Sequence, residues 1–173
     1  KANEMTDYNK KILKAIDDFK NGKMVIVVDD KDRENEGDFI MSAELCTAED
    51  INFMMKEARG LICVSIKNER AKSLKLSPMV SSSTAVHETN FTVSVDSIKN
   101  ATTGISAQDR WQTVKVLMDD NSKPEDLGRP GHMFPLIAKE GGVLQRAGHT
   151  EAAMDLSILS GLKPGALLVE IVN

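Results

Sequence analysis

The densest cluster of chemically active side chains lies at residues 29–38, between the apolar segments 24–28 and 39–41. Six of these ten residues carry carboxylates. In an extended chain, alternate side chains point to the same side. Four carboxylates would then face together: Asp32, Glu34, Glu36 and Asp38. Hard cations such as Mg²⁺ prefer oxygen ligands, and a polyhydroxylated substrate also needs acceptors and proton carriers. The stretch predicts half of a metal and substrate site.

Two other interpretations of this stretch are a solvated charge run and a calcium-binding loop. Acidic loops are usually solvated charge runs, but this one includes Gly37 and lies between buried-looking strands, where α/β folds place their sites. A calcium EF-hand loop starting at Asp32 would have its glycine in the right place. Ala43 stands where the last glutamate ligand belongs, however, and the flanks have strand-like patterns rather than helical ones. The EF-hand interpretation is therefore excluded.

A second active stretch, residues 141–151, brings glycines, Arg146 and His149 to the start of a predicted helix. The N-terminus of a helix presents free N–H groups and a partial positive charge, which suit an anion. Arg146 adds a forked cation, and Thr150 is expected to be the N-cap and a hydroxyl donor. Thr103, with its neighbours 102–104, could add further donors. The segment predicts a phosphate site, where His149 would either ligate a metal or move a proton, the alternative being a surface histidine.

Three further residues stand out by their position. Glu170 lies inside the apolar run 167–172, so its carboxylate must be paired, protonated, at a site, or on a solvent-facing edge strand. His132 is either a base or a structural histidine. Cys63 lies in a buried strand and is expected to belong to the core rather than to act as a nucleophile. His87, in the polar segment 81–90, receives no role.

Apolar periodicity predicts the elements that position these residues. Helices are expected at 7–20, capped by Thr6; at 48–58, capped by Thr47 with Asp50 completing a capping box; at 68–74; at 107–118, capped by Ser106 with Asp109 in the box position; and at 150–159. Strands are expected at 24–28, 39–43, 61–66, 91–95, 132–138 and 166–172, with Pro135 marking an edge or a bulge. The alternation predicts an α/β (α+β) fold: one three-layer domain over residues 1–173, with a mixed, partly parallel sheet flanked by helices.

The composition is that of an ordinary globular domain. The chain has 173 residues and a formal net charge of −4, with Lys and Arg scattered along it. That scatter argues against a nucleic-acid-binding face. Two cysteines without a CxxC pattern fit a reducing compartment and predict a cytoplasmic protein. No apolar run approaches the roughly 20 residues that cross a bilayer, and the first residues do not form a signal peptide, so no membrane partner is expected.

Several ordered motifs resemble those of one family, 3,4-dihydroxy-2-butanone 4-phosphate synthase of riboflavin biosynthesis. The resemblance runs through nearly the whole chain, and it is carried by residues 29–38, 91–95, 102–110, 129–136 and 148–153. It implies a lyase that converts D-ribulose 5-phosphate to L-3,4-dihydroxy-2-butanone 4-phosphate and formate, through a metal-stabilised enediolate, dehydration and skeletal rearrangement. It further implies Mg²⁺, with Mn²⁺ as a substitute, no organic cofactor, and a homodimer with the site near the interface. The match is imperfect at 81–83, where such proteins often carry Asn.

By that resemblance each candidate residue takes a role. The metal ligands would be Glu34 and His149. The substrate contacts would be Arg33, Glu34, Asp38, Thr103, Arg146, Ala147, Gly148, His149, Thr150 and Glu170. Proton transfers would involve His132, Glu170, Glu36 and Asp38. No GTP cyclohydrolase partner domain is present in the sequence, so a single-activity protein is expected.

Two rival functions stay open on the sequence alone. A non-catalytic module could hold a phosphorylated ligand at the helix start and leave the acidic stretch idle. A metal-dependent phosphatase would release inorganic phosphate instead of formate. The products formed from ribulose 5-phosphate, with Mg²⁺ or with a chelator, discriminate among the three.

Overall fold

The sheet that carries the predicted site is mixed, as expected. The structure is a computed structural model that describes residues 2–173. The strands are β1 (Val25–Val28), β2 (Gly37–Ser42), β3 (Arg59–Ile66), β4 (Val95–Ser97), β5 (Leu127–Ile137) and β6 (Ala166–Ile171). They are ordered β1-β2-β6-β3-β5-β4. The β3–β5 pair is parallel, whereas β1–β2, β2–β6, β3–β6 and β4–β5 are antiparallel.

Helices cover both faces of this sheet. They are α1 (Ala2–Lys20), α2 (Ala48–Phe53), α3 (Asn68–Ser73), α4 (Ala107–Met118) and α5 (His149–Leu159), and α2 continues as a π-helical turn, Met54–Ala58. Neighbouring strand residues point to opposite faces. Ile40 and Leu168 therefore join α1 and α5 in one core, whereas Met41 and Leu167 join α2 and α4 in the other. The predicted three-layer α/β arrangement is confirmed.

Local capping explains where several helices begin. The Thr47 hydroxyl accepts the Asp50 backbone N–H, and the Asp50 carboxylate accepts the Thr47 N–H, which is the predicted capping box. Ser106 caps α4 as expected, but the Asp109 carboxylate accepts from Thr102 and Gly104 instead of closing a box.

Four predicted boundaries were wrong. Helix α1 begins at Ala2, so Thr6 lies within it and is not its cap. Helix α5 begins at His149, and its N-cap is Gly148 rather than Thr150. Residues 91–92 form isolated bridges, and the strand begins only at Val95. Strand β5 begins at Leu127 rather than at residue 132, and it lies between β3 and β4, so the edge alternative for Pro135 is excluded.

The interior place of Pro135 has a simple physical reason. The pyrrolidine nitrogen has no N–H to donate, which usually confines proline to sheet edges. Here Pro135 contributes its carbonyl oxygen, which accepts the Thr92 backbone N–H at 3.0 Å. The bridge segment 91–92 thus pairs with β5 through the acceptor that Pro135 retains.

Candidate active site

The acidic loop is held by its first member, Asp29, which directly follows β1. One carboxylate oxygen accepts the Glu36 backbone N–H, and the other accepts the Glu34 backbone N–H and the Arg33 guanidinium, each at 3.0 Å. Burial alone would raise the pKa of Asp29, but these hydrogen bonds lower it to about 2. Asp29 is therefore an ionised clamp around which the loop closes, a role that sequence reasoning did not assign.

This clamp makes the loop a turn rather than an extended strand. Residues 31–34 are in turn conformation, and Asn35 has a φ of 52°, in the left-handed region. The predicted common face of four carboxylates is therefore wrong for Asp32, which is exposed to solvent. Gly37 is the first residue of β2 and pairs with Val28.

His149 is buried at the first position of α5, only 7% exposed. Its Nε2 atom lies 3.1 Å from the Glu36 carbonyl oxygen. Because a carbonyl oxygen only accepts, Nε2 carries the ring proton, and Nδ1 is the free nitrogen of the neutral ring. Nδ1 faces the Glu34 carboxylate, 3.9 Å from Oε2. A backbone contact thus orients the ring for ligation, in the way that metal-bound histidines are commonly supported.

The donors at this point suit a divalent cation. Asp29, Glu34 and His149 each offer an atom within 4.8 Å of the others. The Asp29 oxygens are already engaged by the loop, so Glu34 and the Nδ1 atom of His149 are the more available ligands. The 3.9 Å gap between them fits one ion with bonds of about 2 Å to each. A carboxylate with an imidazole suits Mg²⁺ or Mn²⁺.

A second carboxylate group lies beside this point, where β2 and β6 are adjacent. Asp38 and Glu170 are paired residues of these strands. Burial and the charges of Glu170, Glu34 and Glu36 raise the pKa of Asp38 to about 6, although His149 opposes the shift. Burial and the nearby Glu170 also raise the pKa of Glu36. Glu170 lies on an interior strand, so the edge-strand alternative is excluded.

The predicted phosphate end is already partly occupied by protein contacts. The Arg146 guanidinium donates to the Glu151 carboxylate, which is 1% exposed, and to the His87 carbonyl oxygen. It also donates to the Thr89 hydroxyl at 3.3 Å. Arg146 is therefore not the unengaged cation that the sequence suggested. Thr150 is buried behind it, and its carbonyl oxygen accepts the Ser65 hydroxyl.

One cavity of about 520 Å³ joins these groups. Its lining includes eight predicted site residues: Arg33, Glu34, Glu36, Asp38, Arg146, His149, Thr150 and Glu170. Cys63 and His87 line it too. Cys63 is also a core residue, and burial with the nearby Asp38 charge raises the pKa of its thiol to about 12. His87 received no role from the sequence, because nothing in its polar segment indicated that the segment folds over the site.

Four predicted site residues do not line this cavity. Ala147 and Gly148 line a smaller adjoining one of about 220 Å³, on the other side of Asp29 and His149. Thr103 is exposed beyond β4, and the His132 ring is bound to Asp96 of that strand. The structure therefore places eight predicted site residues in the main cavity and two in the adjoining one, whereas Thr103 and His132 lie outside both.

Comparison with known proteins identifies the family. The family model described as 3,4-dihydroxy-2-butanone 4-phosphate synthase matches residues 13–173. The chain belongs to the 3,4-dihydroxy-2-butanone 4-phosphate synthase family. Riboflavin biosynthesis protein RibBA of Cytophaga hutchinsonii is 60% identical over 163 residues, 94% of this chain and 40% of the relative. The 3,4-dihydroxy-2-butanone 4-phosphate synthase of Helicobacter pylori is 55% identical over 164 residues, 95% of this chain and 47% of that protein.

Solved synthase structures share the fold. A crystal structure of a 3,4-dihydroxy-2-butanone 4-phosphate synthase in complex with two magnesium ions matches with a TM-score of 0.91 at 45% identity, covering 94% of this chain and 76% of that one. A two-domain synthase of A. baumannii matches with a TM-score of 0.89 at 44% identity, over 94% of this chain and 48% of that one. The chain spans less than half the length of the curated relatives described above, so a single-activity protein stays a prediction.

Proposed function

We propose that this chain is a catalytic domain over residues 1–173 that converts D-ribulose 5-phosphate to L-3,4-dihydroxy-2-butanone 4-phosphate and formate in riboflavin biosynthesis. The observation that carries the proposal is the meeting, in one cavity, of a free histidine nitrogen opposite Glu34 with carboxylates of raised pKa. The histidine nitrogen and Glu34 suit a cation on the ketone side of the sugar. The carboxylates of raised pKa suit proton transfers among the hydroxyl groups of the sugar.

Glu34 and His149 would hold Mg²⁺, or Mn²⁺ in its place, and no organic cofactor is required. Bound there, the ion would polarise the substrate ketone and stabilise the negative charge of an enediolate. The protein's contribution is to hold the two ligands still. Asp29 fixes the Glu34 backbone, and the Glu36 carbonyl oxygen fixes the His149 ring.

The neighbouring carboxylates would move the protons. A general base works best when its pKa is near the operating pH, and Asp38, with a pKa of about 6, meets that condition. Burial and the nearby Glu170 raise the pKa of Glu36, so Glu36 is well placed to carry a proton. The two products together hold all the atoms of the sugar phosphate, so the water expelled in dehydration is taken up again when formate leaves.

The phosphate would bind near Arg146 and the start of α5, next to the proposed metal ligand His149. The first N–H groups of that helix are unpaired donors and carry a partial positive charge. Thr150 and Arg146 both line the cavity there, and Arg33 lies across it. The adjoining Ala147 and Gly148 would then act through their backbone, by setting the entry of the helix.

We also propose that the active form is a homodimer. Thr103 and His132 lie outside the carboxylate cavity, so a second copy would bring them to it. An exposed apolar patch on β1, at the opposite edge of the sheet, supports a protein contact: Ile26 and Val28 are each 62% exposed. A cytoplasmic location stays a prediction; within residues 2–173, every helix is too short or too polar to cross a membrane.

A single assay tests the reaction. Ribulose 5-phosphate is incubated with the protein and Mg²⁺, and formate and inorganic phosphate are measured, with a chelator in a parallel sample. Formate that depends on the metal is expected. Phosphate release would instead indicate a phosphatase, and unchanged sugar a binding module.

A second assay tests the metal assignment. Replacing Glu34 or His149 by Ala is expected to abolish formate release and to weaken Mn²⁺ binding, followed by electron paramagnetic resonance. Asp32→Ala is the matched control, because it removes an exposed carboxylate of the same loop. Near-normal turnover in either folded site variant would overturn the assignment.

A further inference from the structure

We propose that Asp96 is a positioning residue that fixes the ring of His132 in the tautomer needed for proton transfer. The inference rests on the proposed function, because His132 acts only if the reaction takes place. Asp96 lies on β4 and His132 on the adjacent β5. Sequence reasoning assigned no role to Asp96.

The Asp96 carboxylate grips His132 at two points. Its Oδ1 atom accepts the His132 backbone N–H at 2.8 Å, and its Oδ2 atom lies 2.8 Å from the ring nitrogen Nδ1. The first contact fixes the backbone, and the second fixes the ring about the remaining side-chain torsions. The His132 side chain is still 40% exposed, so its far edge is accessible while its near edge is held.

This grip determines which ring nitrogen carries the proton. A carboxylate only accepts hydrogen bonds, so Nδ1 of His132 donates its N–H to Oδ2. The neutral ring then has Nε2 unprotonated and directed away from Asp96. A histidine supported in this way can take a proton at Nε2, and the charge of the carboxylate stabilises the imidazolium that forms. An amide in place of the carboxylate could donate to Nδ1 and reverse the tautomer.

The chain packs so tightly around Asp96 that two neighbouring positions have no room for a side chain. A Cβ atom on Gly104 would lie 2.2 Å from Oδ2 of Asp96, and one on Gly131 would lie 2.4 Å from its backbone nitrogen. Both positions therefore require glycine for the carboxylate to reach His132. Gly104 directly follows Thr103, so Asp96 packs against the turn that carries the other predicted residue outside the main cavity.

Arg110 closes this group from the side of α4. Its Nη1 atom donates to the His132 carbonyl oxygen at 3.0 Å, and its Nε atom donates to the Ile105 carbonyl oxygen. Its charge also interacts with Asp96. One carboxylate, one guanidinium and two glycines thus set the place of His132.

The tautomer can be observed directly by ¹⁵N nuclear magnetic resonance of the full chain. Only three histidines are present, and the spectrum of His132→Gln assigns the signals of His132. The wild-type ring is expected as the Nδ1–H tautomer, and Asp96→Asn is expected to shift it toward Nε2–H. A wild-type ring in the Nε2–H form overturns the proposal, whether or not the variant folds. Unchanged signals in folded Asp96→Asn overturn it as well.

Kinetics test whether the tautomer matters. Asp96→Asn is expected to lower kcat for formate release by about 10²–10⁴-fold, which is the usual rate contribution of a general acid or base. The change in KM is expected to be small. In the His132→Gln background the same change should cost almost nothing more, because residues acting as a unit are not additive. Equal losses in both backgrounds, or kcat within threefold of wild type, would contradict the proposal.

A matched control separates this effect from general disturbance of the strand pair. Asp126 precedes β5 and binds the Lys123 backbone N–H at 2.8 Å, without contact to His132. Asp126→Asn is expected to leave both the His132 signals and kcat unchanged. If the wild-type protein releases no formate at all, the proposed function fails. The tautomer measurement still decides the grip of Asp96 on His132.

Discussion

Replacing the clamp residue Asp29 by Asn should loosen the acidic loop in a way that depends on pH. The wild-type carboxylate accepts three hydrogen bonds, and its pKa falls from an ordinary 3.8 to about 2. At about 1.4 kcal/mol per pKa unit, this difference corresponds to about 2.5 kcal/mol. Solvent near the loop screens part of it, so we expect Asp29→Asn to lower the free energy of unfolding by about 1–2 kcal/mol at neutral pH.

The sign follows from the direction of the shift. A carboxylate with a depressed folded-state pKa stabilises the fold fully above its ordinary pKa, and this contribution is lost as the pH falls through the folded-state value. The loss caused by Asp29→Asn should therefore be largest near pH 7. It should shrink to about half near pH 3, where the unfolded chain is mostly protonated and the folded one is not.

Two measurements check this prediction. Urea unfolding in the presence of a chelator, at both pH values, gives the global effect. Hydrogen exchange of the Glu34 and Glu36 amides gives the local one, and an increase of about 5–30-fold is expected for a loss of 1–2 kcal/mol. Asp32→Asn is the control, since that side chain is exposed. An equal loss at both pH values, or no loss and unchanged exchange, would refute the clamp.

Three further predictions follow from contacts in the site. Mixing Glu34→Gln and His132→Gln chains, each with little activity alone, should restore about a quarter of wild-type formate release, because half of randomly mixed dimers are heterodimers and each has one of its two shared sites intact. No recovery would contradict a shared site. Arg146→Ala should lower the free energy of unfolding by about 3–5 kcal/mol, because it leaves the buried Glu151 carboxylate unpaired. In urea unfolding, adding Glu151→Gln to this variant should recover part of the lost stability. An unchanged loss would contradict the pairing. Asp38→Asn should abolish formate release and raise the free energy of unfolding by about 1–2 kcal/mol at neutral pH. The reason is that the pKa of Asp38 is raised to about 6, so ionising this carboxyl opposes folding above its ordinary pKa of 3.8. The gain in stability should disappear below about pH 4, and a variant less stable than wild type at pH 7 in urea unfolding would contradict the prediction.

Local chemistry made much of the architecture predictable. The capping box of Thr47 and Asp50, and the apolar runs that became β1 and β6, depend on neighbours within a few residues. The three-layer fold followed from their alternation. The start of α1 was misplaced because Thr6 is a good cap by type, yet the helical segment extends past it to Ala2.

The parts of the site that escaped prediction depend on long-range contacts. Asp29 acts through backbone N–H groups five to seven residues away, and these exist only once the turn has formed. Asp96 meets His132 across 36 residues, through the pairing of β4 and β5. The engagement of Arg146 by the His87 carbonyl oxygen spans 59 residues. Residue type indicated which side chains could do chemistry, whereas strand register decided which of them meet.

The interior position of β6 has a thermodynamic consequence for the protein without a cation. Backbone pairing with β2 holds the main chain of Glu170 beside that of Asp38, so their carboxylates are kept close enough to repel each other. The sheet therefore keeps two like charges close together, and a divalent cation bound nearby would relieve their electrostatic repulsion. Binding energy measured for such an ion contains this released repulsion, so raising the ion concentration should raise the melting temperature even without sugar phosphate. Weakening the repulsion with Glu170→Gln should make the same ion bind less tightly.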